Sequence, residues 1–133
     1  MSKSKQSDEA HHEELVKGLY EQMKVILESS EQAMFIYLDD NHKACNSRFS
    51  ALLGYKSPEE WVEIKGFLEP FVVEGSRDTL SSAYWDAMKK MKASTIPLTL
   101  KKKVGGTVDT TMVLAPMDYS GHLFSVHFVI NVS

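Results

Sequence analysis

Fifteen residues, Asn46 to Glu60, start a helix, stop it at a glycine and start a second one. Asn46 or Ser47 can accept a hydrogen bond from the free N–H groups of the turn that follows. Phe49, Leu52 and Leu53 fall at i, i+3 and i+4, one apolar face of a short helix. Gly54 can take the left-handed conformation that ends it. Ser57-Pro58-Glu59-Glu60 restarts a helix, with Ser57 as cap, Pro58 in the first position and Glu60 as capping-box partner.

Around this segment the periodicity changes twice. From Glu13 to Glu28, Leu15, Leu19, Met23 and Ile26 form an apolar stripe flanked by Val16, Tyr20 and Leu27, which predicts an amphipathic helix. Residues 1–12 are polar and are expected to be disordered. Met34 to Leu38 reads as a buried strand, Asp39-Asp40-Asn41 as a turn, and Lys43-Ala44-Cys45 as the returning strand. Leu80, Ala83, Tyr84, Ala87, Met88 and Met91 predict a second amphipathic helix, starting near Ser76 or Asp78. The last third alternates with period two. Ile96, Leu98 and Leu100 lead to a glycine turn at Gly105-Gly106, and Val108 to Leu114 follow up to Pro116. Asp118 to Gly121 turns again, and His122 to Val132 sets Phe124, Val126, Phe128, Ile130 and Val132 on one face. Two strands, a run of helices and three strands make an α+β domain, a five-stranded antiparallel sheet with helices on one face. The N-terminal helix is the candidate cover for the other face.

Composition bounds the function. A chain of 133 residues suits one domain with one core. A net charge of −3 argues against nucleic acid as a partner, and the single basic run, Lys101-Lys102-Lys103, reads as a solvated strand end. One cysteine excludes an internal disulfide and fits a reducing compartment. No apolar run approaches the roughly 20 residues that span a bilayer. The expectation is a cytoplasmic protein with no membrane partner.

The order of elements, Asn46 with Phe49 three residues on, and Gly54-Tyr55 together resemble the PAS family of sensory domains, over residues 29–133. Lys103 to Thr107 resembles the family's Lys-Asp-Gly-Thr turn, and Tyr119-Ser120-Gly121 the turn before its last strand. Asn131-Val132-Ser133 sits where many members carry Asp-Ile-Thr, with Asn here in place of Asp. The resemblance implies a cavity between sheet and helices and frequent dimerisation through an N-terminal helix. It does not imply a ligand, because PAS domains host haem, flavins, metabolites or nothing.

Cofactors can be narrowed. A haem-binding member commonly offers an axial histidine on the long helix, and no histidine lies between His42 and His122. Photoactive flavin-binding members carry a cysteine in Asn-Cys-Arg-Phe, a motif missing here; Cys45 precedes Gly54-Tyr55 and reads as a small buried hydrophobe. Haem and photoactive flavin are both disfavoured. No metal site is expected: His11-His12-Glu13-Glu14 is weighed as a ligand set and read as a solvated charge run in a frayed terminus. His127 and Ser125 share the face opposite Phe124, Val126 and Phe128, which puts His127 under the N-terminal helix or at a dimer contact as a hydrogen-bonded structural residue. No catalytic motif is present.

The candidate cavity walls are Phe49, Leu52, Trp61, Phe67, Leu68, Tyr84, Met88, Leu98, Met112, Phe124 and Phe128, against the alternative that these side chains fill the core. Leu15, Leu19, Met23 and Ile26 form the seam of a homodimer or cover the sheet. The reading is a non-enzymatic sensory or signalling module that binds a small apolar ligand, or a partner protein. The alternatives are a ligand-free dimerisation adaptor and a cavity-containing α+β enzyme of the isomerase or hydratase type.

Overall fold

β1 (Ala33–Asp39) lies beside β5 (His122–Asn131), joining the first strand of the chain to the last, with Phe35 opposite His127 and Tyr37 opposite Ser125. The computed structural model describes residues 5–132, and side chains from residue 10. β2 (His42–Cys45), β3 (Ser94–Lys101) and β4 (Thr107–Tyr119) complete one antiparallel sheet in the order β2-β1-β5-β4-β3. Between β2 and β3 come α2 (Ser47–Leu52), α3 (Pro58–Val62), α4 (Leu68–Phe71) and α5 (Glu74–Lys90). α1 (Lys5–Ser29) precedes them all. No helix of the described residues is long and apolar enough to cross a membrane.

Local chemistry explains the boundaries. Asn46 Oδ1 caps α2 by accepting from Phe49 N–H at 3.0 Å, and Gly54, at φ +86°, carries the chain out of it. Ser57 Oγ accepts from Glu60 N–H at 3.2 Å with Pro58 in the first turn. Glu60 reaches one residue further back than a capping box requires, taking Lys56 N–H at 2.7 Å. α5 starts earlier than the polar residues suggest. Its cap is Val73, with no side-chain bond, while Ser76 Oγ accepts from Thr99 N–H across to β3. Met91 leaves the apolar stripe, being the left-handed residue that ends the helix at φ +53°.

Two strand expectations are corrected. β4 runs through Pro116 to Tyr119, because β3 has already ended opposite Leu114 and Pro116 has only β5 beside it. The β3–β4 connection is Lys102 to Gly106, not the glycine pair alone, and Lys102 N–H closes it on Gly106 carbonyl at 3.1 Å. The basic run is also tied down. Lys101 Nζ donates to Glu69 carbonyl at 2.9 Å and Lys103 Nζ pairs with Glu60 at 2.6 Å.

The sheet is covered on both faces. Phe35, Cys45, Leu98, Leu100, Met112, Leu114 and Val129 pack under α2 to α5 with Phe49, Trp61, Phe71, Leu80 and Ala87. Met34, Ile36, Phe124 and Val126 pack under α1 with Leu15, Leu19 and Leu27. This reverses the expected faces of β5, whose Phe124-Val126-Phe128 side belongs to α1. α1 also begins before residue 13: Lys5 to His12, expected to be disordered, continue the helix. Once nucleated, a helix gains a hydrogen bond per added residue without needing apolar side chains. Residues 1–4 lie outside the described residues.

Candidate functional site

A cavity of about 540 Å³ lies between the sheet and the α4–α5 side of the helical layer. Phe35 and Tyr37 of β1 and His127 of β5 form its floor. Lys65 to Pro70 form one wall, and Leu80, Ser81, Tyr84 and Trp85 of α5 the other. The geometry follows from helix periodicity. Residues 80, 81, 84 and 85 lie on adjoining stripes of α5, so the residues beside the buried stripe, Ser81 and Trp85, edge the opening.

Aromatic rings pack the rest of this layer closed. Phe35 lies 4.7 Å from Phe49 and 5.1 Å from Phe67, and Trp61 lies 5.0 Å from Phe49 and 5.3 Å from Phe71. Of the candidate walls, Phe67, Leu68 and Tyr84 line the cavity. Phe49, Leu52, Trp61, Met88, Leu98 and Met112 belong to the packed core beside it. Phe124 and Phe128 are on the other side of the sheet, against α1. Alternation fixes which residues share a strand face but not which layer that face meets, so β5 was assigned to the wrong layer.

The same reversal brings His127 to the cavity floor. It is buried, and its ring stacks on Phe35 at 4.0 Å between centroids. Its Nδ1 lies 3.2 Å from Met112 Sδ and its Nε2 2.7 Å from Ser125 Oγ. A thioether sulfur can only accept, so Nδ1–H donates to Met112 and Nε2 accepts from the Ser125 hydroxyl. Both nitrogens of the neutral ring are satisfied, and burial pushes its pKa down to about 3. The expectation of a hydrogen-bonded histidine and the observed partners agree; its position under α1 does not.

Two phenols also line the cavity, Tyr37, whose hydroxyl donates to Asp40 Oδ1, and Tyr84, with Asp40, Lys65, Glu69 and Ser81 as further polar lining. Burial, then the Asp40 bond and charge, raises the Tyr37 phenol well above its ordinary range. Burial, then the charges of Asp39 and Asp40, raises Tyr84. Cys45 is buried in the core, and burial pushes its thiol up to about 12, which leaves it unreactive. Phe35, Tyr37, Ser81, Trp85 and His127 were missed as lining residues. For Phe35, Tyr37 and His127 the signal, the odd-numbered face of β1 and β5, was present in the alternation; Ser81 and Trp85 flank the apolar stripe of α5.

No protein-family model and no curated protein sequence matches the chain. Solved structures do. The PAS domain of an HTR-like protein from Haloarcula marismortui superposes with a TM-score of 0.65 at 15% identity, over 92% of this chain and 99% of that one. A PAS domain from a two-component sensor histidine kinase gives 0.64 at 14% identity, over 87% and 98%. The chain has a PAS-like fold. A third similar structure, a PAS domain from Colwellia psychrerythraea, gives 0.67 at 14% identity over 86% and 97%. At this identity the likeness carries the PAS fold and leaves the contents of the cavity to its own residues. The cavity lies where the PAS resemblance implies one, between sheet and helices.

The face of α1 divides the expected seam. Leu15 and Leu19 are buried on the sheet and Met23 is half-buried, whereas Ile26 is 55% exposed beside Val25 at 74%. Leu27 takes the sheet-facing place expected of Ile26.

Proposed function

We propose that the protein is a non-enzymatic sensory module that binds a small ligand, mainly apolar and aromatic, in the cavity floored by Phe35 and His127. The observation that carries this reading is the cavity itself. Its volume of about 540 Å³ falls in the range typical of small-molecule sites, roughly 300–1,000 Å³. Phe67, Leu68, Tyr84 and Trp85 supply apolar and aromatic wall, and Lys65, Asp40 and Ser81 supply polar edge. Occupancy would bear on Phe35 and Tyr37, whose neighbours Met34 and Ile36 seat α1 on the opposite face. A ligand that favours one position of β1 would thereby bias the seat of α1.

Three polar groups of the cavity, His127, Tyr37 and Tyr84, are poorly tuned for acid–base chemistry. Efficient acid–base catalysis needs a pKa near the working pH. His127, at about 3, is too weakly basic, and Tyr37 and Tyr84 are shifted away from neutrality in the other direction. A ligand-free dimer adaptor is the second reading, favoured by the exposed Val25 and Ile26. Ala33 opens β1 just after α1 and pairs with Val129, so Ile130 and Val132, also exposed, lie at the same end of the sheet.

Native mass spectrometry and an absorbance spectrum of the purified protein test the first reading, alongside a cavity-filling Ser81→Trp variant. Bound material or aromatic-fragment binding in the parent, lost in a folded Ser81→Trp variant, is expected. Equal binding in both would overturn the assignment of the cavity. A blank result with dimers that Ile26→Asp converts to monomers in light scattering would support the adaptor instead.

A further inference from the structure

Four of the chain's five histidines gather at one place, away from the cavity. His11 and His12 come from α1, His42 from the start of β2, and His122 from the start of β5. Asp39, at the end of β1, stands among them. Its Oδ2 lies 3.2 Å from His12 Nδ1 and its Oδ1 2.6 Å from His42 Nδ1. One ligand atom from each of His12, Asp39 and His42 lies within 4.8 Å of the others. The His122 ring centroid is 5.1 Å from that of His11 and 6.3 Å from that of His12.

We propose that His12, His42 and Asp39 form a binding site for a divalent transition metal, zinc in the first instance, with His11 or His122 as the fourth ligand. Two imidazoles and one carboxylate form a set suited to zinc and its transition-metal neighbours, whereas calcium and magnesium take oxygen donors. Donor atoms about 2.0–2.2 Å from a tetrahedral ion stand roughly 3.3 Å from one another. His12 Nδ1 and Asp39 Oδ2 are already 3.2 Å apart, and the set of three, within 4.8 Å, would draw together on the ion.

The surroundings hold these ligands in place. Asn41 N–H donates to Asp39 Oδ1 at 2.9 Å and orients the carboxylate. His122 Nδ1–H donates to Ser120 carbonyl at 3.2 Å, which fixes the tautomer and turns the Nε2 lone pair into its ligand atom. To bind through Nδ1, His12 and His42 would each stand as the neutral tautomer with the proton on Nε2, offering the Nδ1 lone pair to the metal in place of the contact with Asp39. The ligands come from α1 on one side and from the β1–β2 turn on the other. A bound ion would therefore clamp the N-terminal half of α1 to the sheet.

The test uses the full chain without an affinity tag, titrated calorimetrically with zinc and followed in parallel by the visible absorbance of added cobalt(II). One zinc per chain and a higher melting temperature are expected, with cobalt bands of tetrahedral character. His12 is a third exposed on a helix, so His12→Ala keeps the core and should lose the site. The loss should exceed the roughly 10–100-fold typical of removing an outer-shell partner. His42→Gln should do the same, and circular dichroism reports whether it folds. Zinc that binds the parent and His12→Ala alike, or that fails to bind the parent, overturns the proposal.

Discussion

Asn46 uses the whole of its side-chain amide. Oδ1 accepts from Phe49 N–H at 3.0 Å and Met34 N–H at 3.1 Å, while Nδ2 donates to Leu27 carbonyl at 3.1 Å and Gln32 carbonyl at 2.9 Å. One buried residue thus caps α2, holds the start of β1 and ties down the end of α1. Its role as a cap is legible in the sequence, because a cap is a local feature. The tie to Leu27 is not, because it depends on where α1 returns to the sheet. Asn46→Asp separates the two roles. The carboxylate keeps both acceptors but faces the Leu27 and Gln32 carbonyls, with no N–H left to give them. A loss of about 2–4 kcal/mol is expected in urea unfolding, with faster amide exchange at the end of α1. A loss confined to the amides of α2 would show that the cap alone matters.

Among the elements, α1 departs furthest from its sequence pattern. Leu15, Leu19 and Leu27 sit on the face formed by Met34, Ile36, Phe124 and Val126, and Gly18 lets Tyr119 approach closely. A Cβ at Gly18 would stand 2.7 Å from the Tyr119 hydroxyl oxygen. That contact accounts for a glycine inside a helix, where it costs about 1 kcal/mol against alanine. Leu19 is buried within its own chain, so of the two roles open to the stripe, dimer seam or sheet cover, Leu19→Asp tests the second. It places a carboxylate between helix and sheet. The expected cost is at least the about 2–5 kcal/mol of a buried Leu→Ala change, with loss of exchange protection throughout α1. Unchanged protection would mean that α1 is held by its two ends alone.

At the scale of the whole molecule, His127 makes unfolding depend on pH. Its folded pKa of about 3 lies below the ordinary value of 6.5, so between these values the unfolded chain holds a proton that the folded chain excludes. The stability that the neutral ring contributes is complete above pH 6.5 and is lost as the pH falls through that window. The slope reaches about 1.4 kcal/mol per pH unit for one proton. His127→Gln should therefore give a flatter stability profile than the parent between pH 6.5 and 4, measured by denaturant unfolding. Parallel profiles would show that the ring is not buried in its neutral form. The order of elements, the alternation of the strands, the short helices with their caps and the PAS resemblance were determined by the sequence, since each rests on neighbours within a few residues. The assignment of β5's faces, the turning of His127 onto Phe35, the division of α1's stripe and the gathering of four histidines were decided only by tertiary structure. Period-two alternation is symmetric about the sheet. Only the pairing of β1 with β5 and the return of α1 across them break that symmetry.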